Sequence, residues 1–408
     1  MFSLFWGVTP SQAEHPPTIL ISFDGYRWDY AARGFSPTLL KIAEQGASAL
    51  SLEPAFPSKT FPNHYTIVTG LYPENHGIIY NNFENPFTGK YFRIGDTSSV
   101  RNGRWYWGEA IWQTAERQGL KTASYFWPGS ELTLKYRRPT YFEFYDESIS
   151  YEARIRQAVN WLSLPEDERP RLITLYFDEP DKEGHHFGPD SPETDAALKR
   201  LDETLASLLD SLERHHLSEK TNIIVVSDHG MTKINSRDVI KVDEILSDIP
   251  FHFEASGPMM MIEPAEDQLQ EAFRRLSQNA NHFRVYFRET IPEYYHFSEN
   301  PFIYSLVLIA DPGWTLTDTK GAADIKQSKP GGNHGYDNHN LDMHGIFYAR
   351  GPSFKHGYRT GTLRNIDIYP LLCKILNIVP RQNIDGKLER IEFILRDEID
   401  QGNLPEQE

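Results

Sequence analysis

Short runs rich in β-branched and aromatic residues alternate along the chain with longer amphipathic stretches. The short runs at residues 18–23, 121–126, 171–177, 222–227 and 303–309 predict strands. The amphipathic stretches at 36–45, 109–118, 151–162, 191–215 and 365–376 predict helices, several introduced by Ser, Pro, Asn or Gly in positions suited to capping. This alternation predicts an α/β fold with a mostly parallel sheet and flanking helices. Between 239 and 309 the order strand, helix, strand predicts a small α+β lobe inserted into a single catalytic domain at 17–396. A polar tail follows at 397–408 and is expected to fray.

In an open α/β sheet, ligands gather where the carboxyl ends of parallel strands meet the following loops. Three predicted strands run there into ionisable residues: Phe23 into Asp24-Gly25, Phe177 toward Glu179-Pro180-Asp181, and Ser227 into Asp228-His229-Gly230. A chain that places carboxylates at one end of three strands assembles one charged site. Such a cluster is too costly to leave without a cation.

The composition narrows the choice of ligand. A formal net charge of -16 argues against a protein that wraps long nucleic acids, because that binding relies on Lys and Arg. A small phosphate ligand would need bound cations to reverse the local potential. The one cysteine, Cys373, rules out an intrachain disulfide and a Cys-rich zinc knuckle, so a metal must be held by His and carboxylates. Residues 1–8 are apolar and lead to Thr9-Pro10-Ser11-Gln12-Ala13, which resembles the end of an export signal and points to a periplasmic or secreted protein. The stretch lacks a basic start and is short, so a start-site artefact at 1–16 stands beside that reading. No later stretch supplies the ~20 apolar residues of a membrane span.

Asp181-x-x-x-His185 and Asp228-His229 supply the oxygen and imidazole donors of a hydrolytic zinc site. Either pair alone reads as a capping turn. Taken together, Asp24, Asp181, His185, Asp228, His229 and His334 are about as many donors as two metal ions need. Thr60, in Pro57-Ser58-Lys59-Thr60-Phe61-Pro62-Asn63-His64, precedes an apolar run at 65–71 that predicts a helix. A helix start favours a phosphoryl group. Alone, Thr60 reads as an N-cap; beside zinc, its hydroxyl becomes a nucleophile.

The chain resembles the nucleotide pyrophosphatase/phosphodiesterase family of the alkaline phosphatase superfamily. The resemblance rests on Ile21-Ser22-Phe23-Asp24-Gly25, Lys59-Thr60-Phe61-Pro62-Asn63-His64-Tyr65, Thr69-Gly70-Leu71-Tyr72-Pro73-Glu74-Asn75-His76-Gly77-Ile78, Phe126-Trp127-Pro128-Gly129-Ser130, Glu179-Pro180-Asp181-x-x-Gly184-His185, Ser227-Asp228-His229-Gly230-Met231 and Gly332-Asn333-His334-Gly335-Tyr336-Asp337-Asn338, in order along nearly the whole chain. It implies an alkaline-phosphatase-like core with helices on both faces of a mostly parallel sheet. It also implies two zinc ions, one held by Asp181, His185 and His334 and the other by Asp24, Asp228, His229 and the Thr60 oxygen. His339 competes with His334; His64, His76 and His344 are expected to be structural or to sit behind the ligands.

The implied reaction is hydrolysis of phosphodiester or pyrophosphate bonds through a nucleotidyl-threonine, releasing nucleoside monophosphates. Asn81 and the Phe61 N–H are expected to donate to a non-bridging phosphate oxygen. The base is expected to stack between Phe61 and Tyr145, with Trp127, Pro128 and Glu131 lining the same pocket and Tyr176 near the phosphate. The substrate is expected to be a small nucleotide or dinucleotide, acted on by a monomer. Two other functions fit the same motifs: a choline-phosphodiesterase of the same family, which would need an aromatic and acidic cage, and a catalytically silent binding protein. A sulfatase would need Cys or Ser where Thr60 stands.

Overall fold

The computed structural model describes residues 16–325 and 331–397, so the expected export segment and nearly all of the polar tail lie outside the described residues. A central sheet of 8 strands runs in the order Tyr358–Thr360, Ala47–Ala49, Phe347–Arg350, Asn222–Val226, Thr18–Phe23, Leu172–Phe177, Thr122–Tyr125, Tyr141–Glu143. Thr18–Phe23 pairs in parallel with both Leu172–Phe177 and Asn222–Val226, and only Phe347–Arg350 runs against its neighbours.

The pleat explains why these strands are apolar at successive positions. Side chains alternate between faces, so a strand covered on both sides needs hydrophobes at odd and even positions alike. Ile19, Ile21, Phe23, Ile223 and Val225 join the core under helices Pro37–Gln45, Tyr151–Leu162 and Pro192–Arg214. Leu20, Ile224 and Val226 face the other core, which takes in Tyr65, Ile67 and Val68 of helix Thr60–Thr69 and Leu371 and Leu372 of helix Ile368–Ile375. Burying each such Leu or Ile is worth about 1.5–3 kcal/mol.

A second, 4-stranded antiparallel sheet orders Phe251–Glu254, Met259–Pro264, Leu306–Ala310 and Phe283–Phe287. Helix Leu269–Gln278 packs Ala272 and Leu276 into its own core with Met260, Ile262 and Leu308. The strand expected at 303–309 thus belongs to this smaller sheet, as Leu306–Ala310. No helix among the described residues is long and apolar enough to cross a membrane.

Candidate active site

The three neighbouring parallel strands end together, and their loops bring Asp24, Asp181 and Asp228 to one place. Asp181 N–H donates to the Asp24 carbonyl at 3.0 Å, and Gly25 N–H donates to Asp228 Oδ1 at 3.1 Å. Asp181 then opens the helix Asp181–Phe187, which sets His185 one turn on, facing the same way. Helix Thr60–Thr69 enters the site from the opposite core. Lys59 is its extended N-cap residue and Thr60 its first helical residue, so Thr60 is not the cap. Gly70, at φ +65°, closes it with an N–H to the Thr66 carbonyl, a left-handed ending that favours glycine. His334 comes from the loop after Gly332–Asn333, outside the main sheet.

Three imidazoles are oriented in the same manner. Nδ1 of His185 donates to the Gly332 carbonyl at 2.9 Å, Nδ1 of His229 to the Gly230 carbonyl at 2.8 Å, and Nδ1 of His334 to the Ser58 carbonyl at 2.8 Å. A carbonyl can only accept, so each ring carries a proton on Nδ1 and, in its neutral form, presents a lone pair at Nε2. Those lone pairs converge. His185 Nε2 lies 3.1 Å from His334 Nε2 and 3.4 Å from Asp181 Oδ2, and His334 Nε2 lies 3.5 Å from Asp181 Oδ1. In the neighbouring group, His229 Nε2 lies 3.0 Å from Asp228 Oδ2, 3.4 Å from Asp24 Oδ1 and 3.3 Å from Thr60 Oγ1. The two groups meet where the His229 and His334 rings stack at 3.5 Å. His229 also lies within reach of Asp181 and His334, so its nitrogen stands between the groups.

Acceptors this close repel unless something positive sits among them. Asp24 Oδ1, Asp181 Oδ1 and Asp228 Oδ2 are buried without a hydrogen-bond partner, and such atoms call for an explanation. A zinc ion about 2.0–2.2 Å from each donor would separate them by roughly 3.3–3.6 Å along a tetrahedral edge. The observed spacings, from 3.0 Å to 3.5 Å, lie at that figure or a little below it, and the mix of imidazole nitrogen and carboxylate oxygen suits zinc. Outward hydrogen bonds from the rings to fixed carbonyls are the usual support of such ligands.

The electrostatics separate the rings, favouring neutral imidazole at His185 and His334 and, with no cation among the donors, a proton on His229 shared with Asp228. Burial, then Asp228 and Asp181, push the Asp24 carboxyl well above its usual range. Burial works upward on Asp228 too, but His229 and His64 pull it far below. Burial holds His334 well below the usual imidazole value and lowers His185, so both offer neutral nitrogen. Burial pushes His229 down, yet Asp228 outweighs it and the net shift is upward.

Beside Thr60 opens an apolar cleft of about 350 Å³ lined by Asp24, Thr60, Phe61, Trp127, Pro128, Glu131, Tyr145, Tyr176 and Asp181. Several residues in and around the cleft also make bonds that the sequence did not indicate. The Phe61 N–H donates to Asn81 Oδ1 at 3.0 Å, so it orients Asn81 and leaves the Asn81 amide nitrogen for a ligand. The Tyr176 hydroxyl donates to Asp24 Oδ2 at 2.6 Å, leaving Asp24 one oxygen for a metal. Trp127 donates its indole N–H to the His64 carbonyl at 3.0 Å. Glu131 is paired with Arg101 at 3.1 Å.

Other histidines fall outside the donor groups. His339 sits near Asp337 and Glu53, His186 is exposed, His344 bonds Ser51 and His76 bonds Thr66. His64 lies behind the site, bonded to Ser22 Oγ at 2.8 Å and the Thr60 carbonyl at 2.9 Å.

Sequence reasoning missed Lys59, buried with Nζ on Asn333 Oδ1 at 3.1 Å and pushed by burial down to about 8. It also missed Ile94, Gly95, Thr97 and Val100 of the cleft wall, which follow the hairpin Asn82–Asn85/Lys90–Arg93. A Lys beside the candidate nucleophile was the available signal for the first; the others carried none.

A family model described as type I phosphodiesterase / nucleotide pyrophosphatase matches residues 18–337. The chain is 36% identical over 401 residues to human ectonucleotide pyrophosphatase/phosphodiesterase family member 1, covering 96% of this chain and 43% of that protein. It is 33% identical over 392 residues to bis(5'-adenosyl)-triphosphatase enpp4 of Xenopus laevis, covering 95% of this chain and 84% of that protein. The chain therefore spans less than half the length of the first relative and most of the second. Among solved structures, an inactive threonine-to-alanine variant of murine ectonucleotide pyrophosphatase/phosphodiesterase 5 in complex with AMP superposes with a TM-score of 0.87 at 33% identity, covering 93% of this chain and 100% of that one.

Proposed function

The chain belongs to the type I phosphodiesterase / nucleotide pyrophosphatase family, and from that premise we propose that it hydrolyses phosphodiester or pyrophosphate bonds of nucleotides and dinucleotides, releasing nucleoside monophosphates. The observation that carries this reading is the Thr60 hydroxyl, 3.3 Å from His229 Nε2 and at the junction of the lone-pair cluster with the apolar cleft. Asp181, His185 and His334 would hold one zinc ion, and Asp24, Asp228, His229 and Thr60 a second. When bound, the two ions would lower the pKa of the hydroxyl and neutralise charge on the phosphate.

The remaining work falls to the chain's own residues. Thr60 Oγ1 gives up its proton and attacks phosphorus, forming a nucleotidyl-threonine, while the bond to the leaving oxygen breaks on the side of Asp181, His185 and His334 and that oxygen takes up a proton from water. Water entering from that side releases the monophosphate and restores the hydroxyl. Asn81 Nδ2, oriented by the Phe61 N–H, donates to a non-bridging oxygen. A diester carries one negative charge at phosphorus, and a neutral amide suits it. Phe61 and Tyr145 would stack the base.

The AMP bound by the murine relative and the name of the Xenopus relative support a nucleoside monophosphate product and a dinucleotide substrate. The export-like residues 1–13 support action in the periplasm or after secretion, and we take the working unit to be a monomer.

Steady-state assays with the 4-nitrophenyl ester of TMP and with 4-nitrophenylphosphocholine test the reading. The zinc-loaded enzyme should prefer the TMP ester, and Thr60→Ala should lose about a thousandfold or more in kcat while keeping its metal. Turnover of the choline ester alone would assign the chain to the choline-phosphodiesterase class. Turnover of neither would make it a silent binding protein.

A further inference from the structure

The cleft wall facing Phe61 is a surface loop. Tyr145 is 44% exposed and Phe144 48% exposed, so burial alone does not hold either ring. Tyr145 has edge contact with Phe126 at 5.3 Å and a looser one with Tyr176 at 6.3 Å. Two further side chains tie this loop down. Glu131 Oε2 accepts the Tyr145 backbone N–H at 3.3 Å and the Arg101 Nε–H at 3.2 Å, and Arg101 Nη2 lies 3.1 Å from the same oxygen. The Arg101 guanidinium carbon lies 4.1 Å over the Phe144 ring. Arg101 is itself fixed, because it ends the short helix Thr97–Val100 and its carbonyl accepts the Thr133 N–H at 2.9 Å.

We propose that Arg101 and Glu131 form a clamp that holds Tyr145 in the wall of the cleft it shares with Phe61, and so determine selectivity for substrates whose transferred half carries a planar base. Both are positioning residues that act through Tyr145. The proposal rests on the nucleotide reading of the cleft, and it gives Glu131 a different task from lining the pocket. With its charge spent on Arg101, Glu131 is not free to cage a quaternary ammonium. The pair is charge-assisted and only partly exposed, which strengthens its bonds. The guanidinium alone combines two N–H contacts with stacking on Phe144, a combination lysine does not reproduce. If losing the clamp reduces the stacking-competent fraction of the loop to about one tenth, apparent affinity for a base-bearing substrate falls about tenfold.

The test compares the 4-nitrophenyl ester of TMP with methyl 4-nitrophenyl phosphate, whose transferred half has no ring. Arg101→Leu and Glu131→Ala should raise KM for the TMP ester about tenfold with kcat held within about twofold, so that preference for the TMP ester over the methyl ester falls by the same factor. Glu131→Gln, which keeps an acceptor for the Tyr145 N–H, should recover part of that preference; Arg101→Lys should not. In a Tyr145→Ala background, removing Glu131 should cost nothing more. Additive losses, an unchanged preference, or an equal fall of kcat on both esters would overturn the clamp and leave the nucleotide reading standing. A wild-type enzyme that cleaves the methyl ester and ignores the TMP ester would overturn both.

Discussion

Replacing Gly25 by alanine should cripple the site while leaving the fold nearly intact. Gly25 follows Asp24 at φ +69°, a left-handed conformation that costs a residue with a side chain about 1–2 kcal/mol. An added Cβ would lie 2.9 Å from Asp181 Cβ and 3.0 Å from Asp181 Cα and Oδ1, where ordinary contact begins at 3.4 Å. Asp181 must therefore retreat by about 0.5 Å, the limit within which a functional constellation is held. It cannot retreat alone, because its N–H is bonded to the Asp24 carbonyl and Gly25 N–H is bonded to Asp228. All three carboxylates would move. A misplacement of about 1 Å costs about a hundredfold in rate, so we expect kcat/KM to fall by roughly 10- to 100-fold. Thermal unfolding should shift by only a few degrees, since about 1–2 kcal/mol is small for a chain of this size. Kinetics, metal content and Tm measured together decide the matter. Wild-type kinetics and metal content in Gly25→Ala would show that the tight approach of Asp181 to the strand end is irrelevant to the site.

Asn81→Ala should lower kcat by about 10²- to 10³-fold in a nitrophenyl-TMP assay, with KM changing far less, because the amide is assigned to charge that develops during transfer. Burial depresses His76 from 6.5 to about 3; between those values the unfolded chain takes up a proton that the folded chain refuses, so stability is full above 6.5 and is lost as pH falls toward 3. The loss should be on the order of 5 kcal/mol, and the denaturant-unfolding stability of His76→Gln should fall less steeply over that window. Cys373 is buried, with its thiol pushed up to about 12 by burial; a thiol reagent at pH 8 should label none of the native protein and one thiol per chain in denaturant.

How far the sequence revealed this structure depended on how local each signal was. Thr18–Phe23 and Leu172–Phe177 were readable because strands covered on both faces must be apolar throughout. Ala47–Ala49, Tyr141–Glu143, Phe347–Arg350 and Tyr358–Thr360 were not, since each is only 3 or 4 residues long and takes its place from neighbours distant in sequence. The reversed direction of Phe347–Arg350 likewise has no local mark.

The same division holds in the site. Asp24 and Asp228 follow predicted strands directly and could be placed from the sequence, as could His185 one helical turn after Asp181. What orients these side chains could not be read. The carbonyls of Ser58 and Gly332 that fix His334 and His185 are backbone atoms whose position comes from tertiary packing. Tyr176 looked like a cleft residue and is one, but its bond to Asp24 depends on two strands lying side by side in register, Ser22 opposite Tyr176. Glu131 shows the same limit, because its partners Arg101 and Tyr145 lie 30 and 14 residues away along irregular chain.

Elemental analysis of purified enzyme, scored against active-site titration, reads the occupancy of both donor groups. Lone pairs aimed at one another around Asp181, His185 and His334, and again around Asp24, Asp228 and His229, should bind two transition-metal ions per active chain, with His334→Ala retaining about one. Full activity with no bound metal, or a His334→Ala protein that keeps both ions, would contradict the account.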